Sequence, residues 1–411
     1  MVVRRHLALI LCLVVLGIIP SAAQTVIGQY EDEAPFRTWN ILGVHTAPAS
    51  GMGEVCFALA VDASSAMANP ALLTSLPSFS IAISGSYTQS SFFRYSIVNT
   101  GVLYTRGNSE MGLYGGDFAG LSVRFKGWAL GLSIGLLEAY DRPMQSPEYE
   151  FQGRVLYRLS LDQEGLLRNV NLSLARRLFG RISVGLGVNI VSGTWEKTIE
   201  EDYLYLGNRI TDAKSHDFSG ISFTGGATVD VGERLTVGAG FRSPFTKKAE
   251  SQSRWEYTSS QENIQIVNQG SGESTFRQPL IIGVGAVYRW SSRFKTALDV
   301  AFFGWSRYEA ETFGEKKKRL FRNILRVAGG VEYINTFRLF GEEFQVPVRA
   351  GMASDPQPMQ EPRSAYIRYS SGTGLHWQGL HLDLSAMFGV ESGSGWDLRT
   401  SRVSLTLSYR L

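Results

Sequence analysis

Apolar residues alternate with small or polar residues along most of this chain. In "RISVGLGVNIV" (181–191), every second residue from Ile182 to Ile190 is a branched aliphatic, with Ser, Gly and Asn between them. The same two-residue period returns in segments that begin at Phe79, Trp128, Leu235 and Val403. Successive side chains of a strand point to opposite faces, so this period predicts strands with one apolar face and one small or polar face.

Strand length separates a secreted β-sandwich from a membrane barrel. The alternating segments run to roughly 10–16 residues, whereas strands of soluble proteins average about 5–6. About 9–11 tilted residues cross an outer membrane, and a closed barrel pairs every backbone amide in lipid. The small face leaves room inside. We therefore predict an all-β fold, a transmembrane antiparallel β-barrel of about 14 strands in a bacterial outer membrane.

Turn lengths give a topology, because such barrels have short periplasmic turns and long external loops. Tight turns are predicted at Gly127, Phe179–Gly180, Gly232–Glu233, Ser291–Ser292 and Gly372–Gly374. Long polar stretches are predicted at 141–165, 193–216, 244–275, 307–319, 354–362 and 391–398. The predicted strands are 79–89, 118–126, 128–140, 167–178, 181–193, 217–231, 234–243, 276–290, 293–306, 320–335, 343–353, 363–373, 375–390 and 399–411. Residues 90–117 are either a further strand pair or a structured loop.

The first 23 residues are predicted to be a signal peptide. Arg4 and Arg5 precede an apolar core, and small residues before Gln24 predict cleavage after Ala23. Cleavage leaves Cys56 as the only cysteine, so no internal disulfide forms. It also leaves 38 basic against 37 acidic residues, a net charge of +1 obtained from 40 and 37 by removing two arginines. This near-neutral balance argues against a nucleic-acid partner.

Residues 24–78 precede the first predicted strand and form a predicted amino-terminal hatch, followed by the barrel domain at 79–411. The hatch is weakly charged and rich in small residues, which permits close packing in a confined lumen. Asn69-Pro70 interrupts a helical pattern, because proline lacks an amide donor and disfavours helical geometry in the residue before it. We predict a plug with short helices inside the barrel, and the alternative is a periplasmic cap.

The segment "GMGEVCFALAVDASSAMANPALLTSLP" resembles the hatch of FadL-type outer-membrane transporters of long-chain fatty acids and hydrocarbons. The residues that carry this resemblance are Asp62, Ala63, Ser64, Asn69, Pro70 and Ala71. Further resemblance lies in "RLTVGAGFRSPF" (234–245), "QPLIIGVGAVYRWSSRFKTALDVAFFGW" (278–305) and "VPVRAGMASDPQPM" (346–359). The resemblance covers most of the mature chain.

The resemblance implies passive uptake of hydrophobic small molecules, with lateral release into the bilayer through an interrupted wall strand. If the substrate is a carboxylate, we expect an arginine to bind its two oxygens. Arg242 and Arg349 are the candidates on the family pattern; the alternative is that both form structural ion pairs, for example with Asp299 or Asp355. Other expected partners are outer-membrane lipid, lipopolysaccharide and the barrel-assembly machinery. We expect a monomer without a cofactor.

No enzymatic site is predicted. The Gly-x-Ser-x-Gly match "GLSIG" (131–135) falls inside the alternating segment that begins at Trp128 and not at a strand-to-helix turn, so no nucleophile elbow is predicted, and "SHD" at 215–217 is placed at a loop end. His376 and His381 are five residues apart in predicted strands, so we expect them on opposite faces and predict no metal site. The rival function is that of a type IX secretion shuttle, a related barrel that holds protein cargo. An apolar internal pocket would favour transport, and a protein-docking surface on the loops would favour the shuttle.

Overall fold

The computed structural model describes residues 42–98, 101–112, 116–140, 148–317, 321–361, 363–394 and 398–411. The predicted signal peptide and residues 24–41 of the predicted hatch lie outside these ranges. The twenty strands are β1 (Phe79–Val98), β2 (Gly101–Gly112), β3 (Phe118–Phe125), β4 (Trp128–Ala139), β5 (Glu148–Phe151), β6 (Arg154–Leu178), β7 (Ile182–Tyr203), β8 (Asn208–Val231), β9 (Leu235–Arg242), β10 (Phe245–Ser259), β11 (Ile264–Gln278), β12 (Ile281–Arg289), β13 (Phe294–Phe303), β14 (Ala310–Thr312), β15 (Glu315–Lys317), β16 (Ile324–Leu339), β17 (Glu342–Pro356), β18 (Ala365–Trp377), β19 (Leu380–Ser392) and β20 (Arg399–Arg410). Helix α1 (Ala47–Ser50) and 3-10 helices at Ala63–Met67, Pro70–Ser75 and Trp305–Arg307 complete the described elements.

Fourteen of these strands close into an antiparallel barrel, as predicted. The circuit runs β1, β3, β4, β6, β7, β8, β9, β12, β13, β16, β17, β18, β19 and β20, and β20 pairs with β1. Ser80 lies opposite Arg410 in the closing pair, and Ser91 opposite Arg399. The pairing of first and last strands removes the open edges that a sheet would otherwise expose to lipid.

The remaining six strands extend the wall at its external end. β1 continues past the predicted residue 89 and pairs with β2, so the uncertain region contains a strand pair. The predicted loop 244–275 contains most of the β10–β11 hairpin, and β6, β7 and β8 run on through stretches predicted as loops. On β10, Thr246, Lys248 and Glu250 lie on the exposed face and Lys247, Ala249 and Ser251 on the buried one. The backbone ladder therefore continues beyond the residues that the sequence predicted as strands.

The outer face of the wall is apolar and the inner face is small, polar or charged. Leu130, Leu172 and Leu186 are exposed on the outside, by up to 70% at Leu186, which is the orientation for contact with lipid. Asn169, Asn171 and Asn189 are buried on the inside and hydrogen-bond to one another. The periodic face read from the sequence is therefore the lipid-facing one.

One predicted turn is wrong, and the error moves two histidines. Residues 372–374 lie within β18, and the hairpin turns at Gln378 and Gly379, which both have positive φ (45° and 83°). A two-residue turn with both central residues at positive φ matches the twist of antiparallel strands. His376 and His381 are consequently direct cross-strand partners on the same inward face, not residues on opposite faces.

The hatch, here the described residues 42–78, lies inside the barrel. Its helix α1 packs on β18, β19 and β20, and its second 3-10 helix packs on β6, β7 and β8, on the other side of the lumen. Nearly all of its side chains are buried. Among the described helices, none has the length and apolar character needed to cross a membrane.

Candidate transport pathway

Two capped 3-10 helices form the centre of the hatch. The Asp62 side chain accepts a hydrogen bond from the Ser64 N–H (2.8 Å) where the first helix begins. Asn69 accepts one from the Ala71 N–H (3.1 Å) where the second begins, and Pro70 takes the first helical position, which needs no donor. The six hatch residues singled out from the sequence are all buried: Asp62, Ala63, Ser64, Asn69, Pro70 and Ala71.

Asn69 also joins the hatch to the wall. Its side-chain amide donates to the carbonyl oxygen of Phe57 in the hatch (2.7 Å) and to that of Ala227 in β8 (3.2 Å). A Cβ at Gly226 would lie 2.0 Å from the Asn69 side-chain oxygen, so only glycine fits there. Glycine in this part of the wall therefore leaves the space that the hatch occupies.

A buried carboxylate connects the hatch to three wall strands. Glu54 lies 2.9 Å from the guanidinium of Arg326 (β16) and 3.6 Å from that of Arg368 (β18), and it accepts a hydrogen bond from Arg402 (β20). Burial raises the pKa of Glu54, but Arg402, a hydrogen bond with His45, Arg326 and Arg368 outweigh burial and hold this pKa well below its usual range. Glu54 is therefore an ionised anchor.

On the opposite side the hatch is held by fewer charged groups. Asp299 of β13 accepts hydrogen bonds from the backbone N–H groups of Cys56 and Phe57. Thr74 at the end of the second 3-10 helix donates to the Ser183 hydroxyl in β7 (2.7 Å). The hatch backbone, not a charged hatch side chain, makes the contact with Asp299.

Arg242, predicted as a carboxylate partner, contacts the hatch. It ends β9 and is buried, and one guanidinium nitrogen donates to the carbonyl oxygens of Leu42 and Met67, both at 3.0 Å. Backbone carbonyl oxygens accept hydrogen bonds from a cationic side chain. These two bonds therefore attach the hatch to the end of β9. A role in substrate binding stays a prediction.

Arg349 lies in an ion-pair network at the periplasmic half of the lumen. It contacts Glu332 (2.6 Å) on the neighbouring strand β16 and Asp383 (2.6 Å) on β19, beyond β18. Neither acid is one of those considered from the sequence, since Asp299 binds the hatch amides and Asp355 pairs with Arg368 at 2.6 Å. A substrate role for Arg349 likewise stays a prediction.

An aromatic cluster, here called the chamber, lies on the external side of the hatch. The residues of the chamber are Tyr140, Trp195, His216, Phe218, Lys247 and Phe276. The Lys247 ammonium lies 4.0 Å from the centre of the Phe218 ring and donates to the Tyr140 hydroxyl at 2.7 Å. Cation–π contacts of this kind stabilise an ammonium in an apolar site. The chamber thus combines apolar ring surface with one buried cation.

Sequence reasoning missed the chamber because Trp195 and Lys247 fall in the stretches 193–216 and 244–275, which were predicted as long polar loops. Trp195 is only 1% exposed and stacks on His216 at 4.8 Å between ring centres. His216 lies inside β8, not at a loop end, and it contacts the Ser251 hydroxyl. The available signal was the continued two-residue period, which places Lys247, Ala249 and Ser251 on one face.

The barrel wall is interrupted beside the chamber. Ser243–Pro244 separates β9 from β10, Pro279–Leu280 separates β11 from β12, and the 3-10 helix Trp305–Arg307 follows β13. Proline cannot donate to a ladder, so Pro244 and Pro279 end the regular pairing at the same level. Residues 220–223 of β8 consequently have no strand partner on this side, apart from the hydrogen bonds between Phe223 and Ser243.

Two recesses meet this interruption. The first, of about 780 Å³, is lined by Pro244, Phe245, Thr275, Arg277, Tyr308 and Ala310. The second, of about 840 Å³, is almost wholly apolar and is lined on the outer face by Leu174, Leu186, Phe241, Leu280 and Ile282. Phe245 borders the first recess and packs against the buried core. Both recesses therefore border the interrupted part of the wall, and the second opens on the lipid-facing surface.

Comparison with known proteins places these features in a family context. The model of the family described as "Outer membrane protein transport protein (OMPP1/FadL/TodX)" matches residues 42–379. No curated protein matches the sequence. Similar solved structures include the CymD monoaromatic hydrocarbon channel, with 16% identity, a TM-score of 0.63 and coverage of 90% of this chain and 98% of that one.

Two further solved structures share the fold. The Ralstonia pickettii toluene transporter TbuX has 13% identity and a TM-score of 0.59, covering 90% of this chain and 98% of its own. A Pseudomonas aeruginosa FadL homologue has 14% identity and a TM-score of 0.62, covering 89% and 98%. At these identities the structures establish a shared architecture.

Proposed function

Because the chain belongs to the OMPP1/FadL/TodX family of outer-membrane transport proteins, we propose that it carries hydrophobic compounds from outside the cell into the outer membrane. The substrate enters the chamber, the hatch blocks passage straight through the lumen, and the substrate leaves sideways through the interrupted wall. The observation that carries this proposal is the chamber itself, an aromatic site between the hatch and the wall interruption. Membership of a transport family favours this function over the secretion shuttle.

The chamber supports a hydrophobic carboxylic acid, such as a long-chain fatty acid, as the substrate class. Rings supply apolar surface, and each buried methylene contributes about 0.8 kcal/mol. About a dozen methylenes therefore support micromolar binding after the cost of association. The Lys247 ammonium supplies a charge for the carboxylate, at the centre of the apolar surface. The neutral alternative is an aromatic hydrocarbon, the cargo named for CymD and TbuX.

Binding measurements on the purified protein test the substrate class. We expect saturable binding of a radiolabelled long-chain fatty acid and no binding of a sugar. Lys247→Met should weaken fatty-acid binding about tenfold or more, because a charge-assisted hydrogen bond is lost. The matched control is Lys248→Met, since Lys248 is the next residue and points outward. Arg242→Met and Arg349→Met test the two arginines predicted from the sequence in the same assay.

Each alternative has its own outcome. Saturable binding of toluene with none of fatty acid would reject the carboxylate and retain transport. An effect of Arg349→Met without an effect of Lys247→Met would move the carboxylate site to Arg349. Absence of binding for both hydrophobic classes, with recovery of a secreted protein on the loops, would reject uptake in favour of the shuttle.

The exit follows from the position of the interruption. β9 has eight residues, which rise about 20 Å from the periplasmic turn at roughly 3.3 Å each and a tilt of about 40°. The gap beside residues 220–222 of β8, just beyond Ser243, therefore lies in the outer half of an apolar band of about 25 Å. A molecule that leaves there enters the outer leaflet beside the apolar recess.

A reversible cross-link tests this exit. An ideal Cβ at Gly220 lies 3.0 Å from the Phe245 ring, so these two positions face each other across the gap, and we test a cross-link between them with Gly220→Cys and Phe245→Cys in a Cys56→Ser background, oxidised to a disulfide. We expect uptake of labelled substrate by cells to fall on oxidation and to recover on reduction. The control pair is Ser173→Cys with Gly187→Cys, paired positions in a continuous part of the wall. Equal uptake in the oxidised and reduced states would exclude this exit.

A further inference from the structure

The corrected hairpin turn between β18 and β19 assembles three side chains of metal-binding type. His376 lies directly opposite His381, and Asp383 follows two residues later on the same inward face. The two imidazole rings are 3.9 Å apart between centres, and His376 Nε2 lies 3.1 Å from Asp383 Oδ1. One nitrogen of each imidazole and one carboxylate oxygen all lie within 4.8 Å of one another.

We propose that these three residues bind a divalent transition-metal ion, with Zn²⁺ as the reference ion. Two imidazoles and one carboxylate form a ligand set that suits zinc, with the fourth position left for water. Bonds of about 2.0–2.2 Å in a tetrahedron place ligand atoms about 3.4 Å apart. Small side-chain rotations close the remaining gap, because both histidines lie near the end of a hairpin.

The surroundings of the carboxylate support a built site. Arg349 donates to Asp383 Oδ1 at 2.6 Å and also pairs with Glu332 (2.6 Å), which in turn pairs with Lys295 (2.7 Å). This arrangement orients the carboxylate from one side, as outer-sphere partners of metal ligands do. Within the part of the chain that the structure describes, the buried Asp383 Oδ2 and His381 Nδ1 have no hydrogen-bond partner. These are the atoms that a metal ion would engage.

Glycine at 374 keeps the space beside the carboxylate. A Cβ there would lie 2.4 Å from Asp383 Oδ1, so any larger residue would move the ligand. Both histidines are partly exposed at the periplasmic end of the lumen, which gives an ion from the periplasm access to them. The bound ion would join β18 and β19 above their turn. This site is separate from the chamber and from the wall interruption, so it does not depend on the proposed transport function.

Metal binding to the full-length protein in detergent tests the proposal. The protein is purified without a histidine tag, stripped with a chelator and titrated with Zn²⁺ against a chromophoric indicator. We expect one ion per chain in the wild type and at least about a tenfold loss of affinity in His376→Gln, His381→Gln and Asp383→Asn. His216→Gln is the histidine control, and it should bind zinc as the wild type does. Co²⁺ should give the absorption of a tetrahedral complex in the wild type and the control.

Folding of each variant is checked by its migration on unboiled gels, where an intact barrel runs differently from an unfolded chain. The proposal is overturned if the folded wild type takes up no more zinc than the folded His376→Gln/His381→Gln double variant. It is also overturned if His216→Gln loses as much zinc binding as the three ligand variants do. A single ion lost only with the ligand variants supports it.

Discussion

The two sides of the lumen hold the hatch by different means. On the side of β16 to β20, Glu54 meets arginines from three strands. On the side of β8 to β13, the wall is broken at Pro244 and Pro279 and contacts the hatch through Asp299 and Arg242. The first side has buried charge and a ladder broken only briefly, at Val346–Pro347 between β17 and β18, and the second has a wider interruption with aromatic and apolar surface.

This difference separates retention of the hatch from passage of the substrate. A buried ion cluster is costly to break, because removing one partner leaves uncompensated charge. An interrupted ladder has fewer backbone hydrogen bonds to lose, so local movement there costs less. We infer that the hatch stays attached to β16–β20 while the chamber side adjusts to the substrate. The predictions below change one side at a time.

The largest effect is expected from Glu54→Gln. Glutamine has the size of the carboxylate but no charge, so the buried Arg326 and Arg402 lose the Glu54 carboxylate, while Arg368 keeps its pair with Asp355. Breaking a buried ion cluster in this way costs about 3–5 kcal/mol. We expect the hatch to detach, and single channels in planar bilayers to conduct ions that the wild type blocks.

An exposed ion pair provides the control for this change. Glu148 pairs with Arg158 at 2.7 Å on the external extension, where both side chains are substantially exposed. Such pairs contribute about 0–1 kcal/mol, so Glu148→Gln should leave the conductance low. Equal conductance of Glu54→Gln and wild type would show that the Glu54 cluster does not hold the hatch.

Acid should weaken the same side by a smaller amount, because the lowered pKa of Glu54 leaves most of its carboxylate ionised in moderately acidic solution. The pKa of Glu54 is well below its ordinary value of 4.5 in the folded protein, so its contribution to stability is full above that value. It is lost as the pH falls through the lower, folded-state pKa. We expect wild-type conductance to stay low down to pH 4.5 and to rise only in more acidic solution. A rise between pH 7 and 5 would contradict the role of Glu54.

The sequence predicted the wall more fully than the interior. Alternation shows which face of each strand contacts lipid. Because every strand of the wall has such a face, the number of strands and the closure of the barrel could be predicted from it. The hatch followed from Asn69 and Pro70, because a cap and a proline act locally. Glu54 was not singled out, since its arginines lie 272 to 348 residues away along the chain.

The sequence predictions were wrong where a shift of one residue in strand register changes the face on which a side chain lies. Placing the β18–β19 turn at 372–374, and not at Gln378, put His376 and His381 on opposite faces. Glycine is common in this chain both in turns and where the wall faces the hatch, so Gly372 and Gly374 gave a false turn signal. Gly372 in fact lies against the hatch at Gly51.

The smallest effect concerns the broken side, where Gly283 of β12 faces Phe57 of the hatch. A Cβ at Gly283 would lie 2.1 Å from the Phe57 ring, which Asp299 holds in place through the Phe57 N–H. Overpacking of this kind costs about 1–3 kcal/mol, so Gly283→Ala should lower the temperature at which the barrel unfolds on gels. Gly272→Ala in β11 is the control, because its nearest neighbour would be at 3.6 Å. If the chamber side adjusts as inferred, Gly283→Ala keeps the channel closed to ions, unlike Glu54→Gln; an open channel would show that both sides are equally rigid.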